Sequence, residues 1–75
     1  MYTVRMKKLS VAPVYRKARE RGLRFAAELA RETGVSYPTA RKWWNDEIRQ
    51  IDPDTLIRFA DYFGVEPGEL IERKQ

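Results

Sequence analysis

The chain contains neither cysteine nor histidine among its 75 residues. Domains of this size bury only about 60% of the surface that their unfolded chains expose, and many are held together by disulfides, a metal ion or a partner chain. The missing thiols and imidazoles exclude disulfides, thiolate and imidazole metal sites, and catalytic pairs of a nucleophile with histidine. The remaining sources of stability are a compact apolar core and a second subunit.

The composition is typical of a globular domain. Hydrophobic residues make up 43% of the chain and charged residues 35%, which argues against disorder. The longest stretch without a charged or polar side chain other than tyrosine is Val11–Tyr15, whereas a membrane span needs about 20 apolar residues. Because no apolar segment follows the basic N-terminus, we expect neither a signal peptide nor a membrane span. The expected location is the cytoplasm.

Charge is distributed unevenly along the chain. The sequence has 15 basic and 11 acidic residues, a net charge of +4 and a pI of about 9.7. Residues 1–24 carry eight basic side chains and one acidic side chain, a net charge of +7, whereas residues 50–75 carry three basic and six acidic side chains, a net charge of −3. This asymmetry favours a polyanionic partner that approaches from one side. A solvated basic surface without a ligand is the alternative.

The N-terminal segment contains a short strand pattern followed by a helix pattern. Apolar and polar residues alternate over 2–7, which is the period of a half-buried strand, and such a strand needs a partner for its backbone groups. Ser10 can cap a helix that has Pro13 in its first turn, and Gly22 can end it. The sequence therefore predicts a first helix over 12–21.

A glycine turn separates the second and third predicted helices. The second covers 25–33 and ends at Gly34, a residue that adopts positive φ without steric cost. The third covers 36–45, with Ser36 as its cap and Trp43 on its buried face.

The last two predicted helices follow a loop at 46–51. Asp52 and the proline after it open a fourth helix, in which apolar residues recur at offsets of three, four and seven, and Gly64 ends it. The segment that starts at Glu66 opens a short fifth helix. These patterns predict an all-α fold of five helices, with a candidate strand near the N-terminus.

The most specific pattern lies at the junction of the second and third helices. Ala30 is small where two helices approach each other, Gly34 follows in the turn, and Val35 plugs that turn. Ala40 and Trp43 then face back onto the preceding helix. The joint pattern is typical of two helices that cross steeply through a short turn.

These residues resemble the helix-turn-helix of the phage Cro and repressor type, also called XRE-like. The resemblance rests on 29–36 together with Thr39, Ala40 and Trp43, and it extends over 51–71, which is similar to the closing half of that family's domain. In all it covers about residues 23–71. It implies a five-helix, repressor-like DNA-binding domain over 12–75, preceded by an extension at 1–11 that contains the candidate strand.

The resemblance also implies which residues contact DNA. In the family, the third helix lies in the major groove and its outward residues meet base edges. The matching positions here are Ser36, Tyr37, Pro38, Thr39, Arg41 and Lys42. Three further residues are candidate phosphate contacts, namely Arg24, Arg49 and Gln50.

The side chains at these positions suit base recognition in different ways. Arg41 or Lys42 can donate to the O6 and N7 acceptors of guanine, while Tyr37 and Pro38 are limited to apolar or single hydrogen-bond contacts such as those with a thymine methyl group. One departure from the family lies at 24–26, where a polar cap and a glutamine usually stand and this chain has Arg-Phe-Ala.

The leading hypothesis is a sequence-specific, double-stranded DNA-binding transcriptional regulator that acts as a repressor and as a homodimer. A single recognition helix buries too little surface on DNA for its site to outcompete the non-specific sites of a genome, and a dimer doubles the buried surface. The alternative is an antitoxin or accessory module that uses the same fold to bind a protein partner. An excisionase-like binder is a third hypothesis, but a winged hairpin should then follow the third helix, where 52–63 is predicted to be helical.

Catalysis and cofactors are not expected. The adjacent Asp46-Glu47 pair lies in a loop without a third ligand, and we interpret it as structural rather than as a metal or acid–base site. Ser36 has no base that would activate it as a nucleophile. We therefore expect no enzyme activity, no metal and no cofactor.

Overall fold

The computed structural model describes residues 8–74, which form four α-helices, one short 3-10 helix and a two-stranded antiparallel sheet. In chain order the elements are β1 (Leu9–Ser10), α1 (Ala12–Glu20), α2 (Ala26–Thr33), α3 (Tyr37–Trp44), α4 (Pro53–Phe63), the 3-10 helix (Pro67–Leu70) and β2 (Glu72–Arg73). The predicted strand over 2–7 lies outside the described residues. The strand that the structure shows in this region is β1, which begins two residues after the end of that segment.

The fifth predicted helix is a single 3-10 turn rather than an α-helix. It contains a proline and Gly68, both poor helix formers, and the chain is already extended at Ile71 (φ −121°, ψ 133°). Glu69 accepts a hydrogen bond from the backbone N–H of Glu66 at 2.8 Å and so caps the turn. The expectation of five helices is thus corrected to four α-helices and one 3-10 turn.

The four α-helices lie within one or two residues of the predicted ranges. The segment 53–63 is helical, as predicted, so no winged hairpin follows α3. At the end of α4, Gly64 adopts φ +69°, the left-handed conformation that glycine reaches without strain. At the start of α1 the predicted cap differs in detail. Val11 is the capping residue, and the Ser10 hydroxyl accepts a hydrogen bond from the backbone N–H of Ala12 at 3.0 Å.

The core lies where the four α-helices and the 3-10 helix meet. Trp43 is 1% exposed, as predicted, and its ring packs edge-to-face against Phe59 at a centroid distance of 5.1 Å. Val11, the last residue of the predicted extension, is completely buried in the same cluster. The other buried members are Val14, Ala18, Leu29, Ala30, Val35, Ala40, Ala60, Phe63 and Leu70.

Asp46 joins the end of α3 to the start of α1. It is the one non-glycine residue with positive φ (57°) in the part of the chain that the structure describes. Its carboxylate accepts hydrogen bonds from the Ser10 hydroxyl at 2.6 Å and from the backbone N–H of Val11 at 2.8 Å. The structural interpretation of the acidic pair is therefore confirmed for Asp46 but not for Glu47, whose carboxylate forms no hydrogen bond or ion pair within residues 8–74.

The two-stranded sheet holds the two ends of the described chain together. Leu9 pairs with Arg73, and Ser10 pairs with Glu72. An ion pair between Arg16 Nη2 and Glu72 Oε1, at 2.7 Å, connects the second strand to α1. The hydrogen bond from Arg16 holds the pKa of Glu72 below its ordinary value, and the same bond raises the pKa of Arg16.

None of the helices between residues 8 and 74 is long and apolar enough to cross a membrane.

We expect Asp46→Ala to lower the free energy of unfolding by about 2–4 kcal/mol. The substitution removes two hydrogen bonds to a charged acceptor, and alanine tolerates positive φ less well than aspartate does. Asp46→Asn is the matched control. Asparagine tolerates this conformation and keeps one side-chain acceptor, so Asp46→Asn should lower the free energy of unfolding by less than half as much as Asp46→Ala does. Urea unfolding measures both variants. Equal losses in the two variants would contradict this account.

We expect the stability difference between the wild type and Glu72→Gln to depend on pH. Because the folded-state pKa of Glu72 is lowered, the ion pair stabilises the fold fully above the unfolded-state pKa, and that contribution disappears as the pH falls through the folded-state pKa. Denaturation midpoints from neutral to acidic pH should therefore converge. Glu32→Gln, which removes an exposed carboxylate on α2 that has no ion pair among residues 8–74, is the control. A difference between the denaturation midpoints of the wild type and Glu72→Gln that stays constant across this pH range would refute the prediction.

Candidate nucleic-acid interface

α3 has one buried face and one exposed face. Ala40 and Trp43 are 0% and 1% exposed and point into the core. The other face carries the six residues that the resemblance assigned to base contacts, of which five are exposed and Thr39 is half-buried: Ser36, Tyr37, Pro38, Thr39, Arg41 and Lys42. Residues three or four positions apart are neighbours on a helix surface, as 36 and 39, 37 and 41, and 38 and 42 are here, so these side chains form a single continuous surface.

The start of α3 presents two hydroxyl groups that bond to each other. Ser36 is the capping residue, as predicted, but its side chain does not bond to the backbone of the first turn. Its Oγ instead donates to Thr39 Oγ1 at 3.0 Å, while its carbonyl oxygen accepts from the backbone N–H of Ala40 at 2.9 Å. The Thr39 hydroxyl proton and the free lone pairs of both oxygens remain available to a ligand.

A short turn fixes α3 against α2. Gly34 adopts φ +77°, and its backbone N–H donates to the carbonyl oxygen of Ala30 at 2.9 Å. The Thr33 hydroxyl donates to the carbonyl oxygen of Leu29 at 2.7 Å and accepts from the backbone N–H of Val35 at 3.3 Å. Val35 is buried, as the sequence predicted, so both the backbone and the side chains determine the angle at which α3 leaves the turn.

Arg58 is a cation near this turn that sequence reasoning did not identify. It belongs to α4, and its Nη1 lies 3.7 Å from the position that a Cβ on Gly34 would occupy. It is exposed and forms no ion pair within residues 8–74. No sequence pattern relates position 58 to position 34, because only the packing of α4 against the motif brings them together.

The candidate phosphate contacts lie in two different places. Arg49 and Gln50 are exposed and line an open cleft between α3 and the loop that follows it, together with Thr39 and Lys42. Arg24 is exposed just before α2 and does not line that cleft. The structure therefore brings two of the three candidates next to the exposed face of α3.

The start of α2 is occupied by a carboxylate. Glu28 Oε1 accepts hydrogen bonds from the backbone N–H groups of Arg24 at 2.7 Å and of Phe25 at 3.0 Å. Phe25 is the capping residue, has no side-chain acceptor, and is 66% exposed. The amides that precede α2 are thus already used within the chain, in agreement with the departure noted at 24–26.

Several of the N-terminal cations are engaged in structural contacts. Arg16 pairs with Glu72, and Arg21 lies over the ring of Tyr62 at 4.7 Å from its centroid. Tyr15 packs edge-to-face against Trp44 at 5.0 Å, which attaches the end of α3 to α1. Part of the basic N-terminal half therefore stabilises the fold itself.

Comparison with known protein families identifies this domain. Residues 14–75 match the family model of the Cro/C1-type HTH DNA-binding domain, which covers most of the chain. The chain belongs to this family, as the sequence analysis predicted, and DNA is the partner that membership indicates. No match was found among curated proteins or among solved structures.

We expect Gly34→Ala to destabilise the domain by about 1–2 kcal/mol, because alanine is strained at φ +77°. Space is not the limiting factor, since the nearest atom to the added Cβ would be at an ordinary contact distance of 3.7 Å. Gly68→Ala is the control. That position has no positive φ and no atom within 4 Å of the added Cβ, so its effect should stay within about 0.5 kcal/mol in thermal or urea unfolding. Equal losses of stability in Gly34→Ala and Gly68→Ala would show that the positive φ of Gly34 is not what makes the turn sensitive to substitution.

Proposed function

We propose that this protein is a sequence-specific, double-stranded DNA-binding transcriptional regulator that inserts α3 into the major groove. The observation that carries the proposal is the division of α3 into a buried apolar face and an exposed face that holds all six candidate base contacts. A helix that presents its N-terminal, outward residues in this way fits the groove geometry of helix-turn-helix proteins.

The exposed face offers several kinds of base contact. Arg41 and Lys42 supply charged donors for guanine O6 and N7, and each good bidentate contact discriminates by about 1–3 kcal/mol. The Thr39 hydroxyl can donate or accept, and the Ser36 hydroxyl, whose proton is donated to Thr39, can accept. Tyr37, which is 50% exposed, supplies an apolar surface that suits a thymine methyl group.

Phosphate contacts would position this face on the duplex. Arg49 and Gln50 lie beside α3 across the open cleft, so they can bind the backbone that borders the groove. Arg24 lies before α2 and would contact phosphate through its guanidinium alone, because Glu28 already occupies the neighbouring backbone amides.

We further propose that the protein binds as a homodimer and acts as a repressor. One recognition helix reads only a few base pairs, and two copies on a two-fold symmetric site multiply the discrimination. Repression requires only that an occupied operator be inaccessible to other proteins. We propose binding rather than catalysis because the sequence contains neither histidine nor cysteine.

Selection from a random duplex pool at about 150 mM salt tests the proposal. We expect a two-fold symmetric consensus from the wild type. Arg41→Ala and Lys42→Ala should each lower the affinity for that consensus by about 10- to 100-fold and remove the base preference at one position in each half-site. Arg73→Ala, which removes an exposed cation on β2, is the control and should leave the consensus unchanged.

A salt-sensitive interaction that shows no sequence preference and is equally strong in all these variants would refute the proposal. It would leave the basic residues as a general electrostatic surface, and the protein-interaction module would become the leading hypothesis. A consensus with a single unrepeated half-site would contradict the homodimer alone.

A further inference from the structure

The cleft beside α3 contains as much negative as positive charge. Its polar lining includes Lys42 and Arg49, but also the carboxylates of Glu47 and Asp52. Two of the cations expected to attract DNA are therefore balanced by two carboxylates in the same cleft. A surface built only to hold a polyanion would not include them.

The two carboxylates have different surroundings. Asp52 precedes α4, and its Oδ2 accepts a hydrogen bond from the Thr55 hydroxyl at 2.7 Å, so it has a structural role. Glu47 is exposed, and its carboxylate forms neither a hydrogen bond nor an ion pair with any residue between 8 and 74. Its backbone N–H donates to the carbonyl oxygen of Lys42 at 2.8 Å, which places the residue at the end of α3. Folding thus fixes the backbone of Glu47 and leaves its side chain unused.

A free carboxylate in this position has few favourable partners on DNA. Duplex DNA carries one negative charge per about 1.7 Å of its axis, so an acidic side chain near the backbone is repelled. In the major groove, the hydrogen-bond donors are the amino groups of cytosine N4 and adenine N6. A carboxylate there is compensated only where one of these amino groups faces it.

We propose that Glu47 is a specificity-determining residue of the DNA interface. This inference rests on the proposed insertion of α3 into the major groove. The Glu47 carboxylate opposes the attraction of Lys42 and Arg49 for DNA of any sequence, and on the preferred sequence it accepts a hydrogen bond from cytosine N4 or adenine N6. Glu47 therefore acts mainly by weakening binding to DNA of other sequences. Specificity can be gained in this way as well as by strengthening contacts with the preferred sequence.

Glu47→Gln tests this role, with Glu32→Gln as the control. Both variants remove one exposed glutamate charge, but Glu32 lies on α2 outside the cleft. Dissociation constants are measured on the selected consensus duplex and on a scrambled duplex over a range of salt concentrations. Because the side chain of Glu47 makes no contact that the fold uses, unfolding measurements should show both variants fully folded.

We expect Glu47→Gln to bind the scrambled duplex about three- to tenfold more tightly and to gain less, or to lose affinity, on the consensus. The ratio of the two affinities should fall by about fivefold or more. Selection with this variant should also blur the preference for cytosine or adenine at one position in each half-site. Glu32→Gln should change both affinities by the same small factor.

Three results would overturn the inference. If Glu47→Gln strengthens binding equally on both duplexes, the carboxylate only lowers overall charge. If it matches Glu32→Gln while Arg41→Ala still blurs the consensus, the proposed function stands and the role of Glu47 does not. If the wild type shows no sequence preference, the proposed function fails and the role of Glu47 fails with it.

Discussion

The burial of Trp43 against Phe59 determines how α3 is presented. The indole occupies the inner side of α3 and contacts a ring on α4, so rotating the helix about its axis would expose one of the largest side chains in the core. Because the chain has no cysteine and so no disulfide, this apolar contact rather than a covalent bond restrains the rotation of α3. Every residue on the outer side of α3 is oriented as a consequence of it.

A polar contact at the edge of the core complements this apolar one. The carboxylate of Asp46 binds Ser10 and the backbone of Val11, so the loop after α3 and the segment before α1 order each other. The same loop continues into Glu47 and Arg49, which face the cleft beside α3. Side chains with structural roles and exposed side chains that line the cleft therefore alternate along a few consecutive residues, and the former position the latter.

Local patterns predicted the helices, their glycine ends, the buried face of α3 and the family, because each depends on residues close together in sequence. The helix-turn-helix is itself a local unit, so its exposed face could be derived without a structure. Contacts between distant residues could not. The approach of Arg58 to Gly34 and the bond between Asp46 and Ser10 depend on packing. The 3-10 turn at Pro67–Leu70 resembles a helix start in sequence, but too few residues follow it to complete an α-helix.

The pairing of β1 with β2 places the two ends of the described chain side by side, with the backbone N–H of Lys74 donating to the carbonyl oxygen of Lys8 at 2.9 Å. A segment whose first and last residues are adjacent, as in 8–74, can be grafted into a surface loop of another protein without forcing that loop apart. The host would need to span only about the distance between two neighbouring strands. The segment 8–74 is therefore suited to insertion into another protein through both of its ends at once.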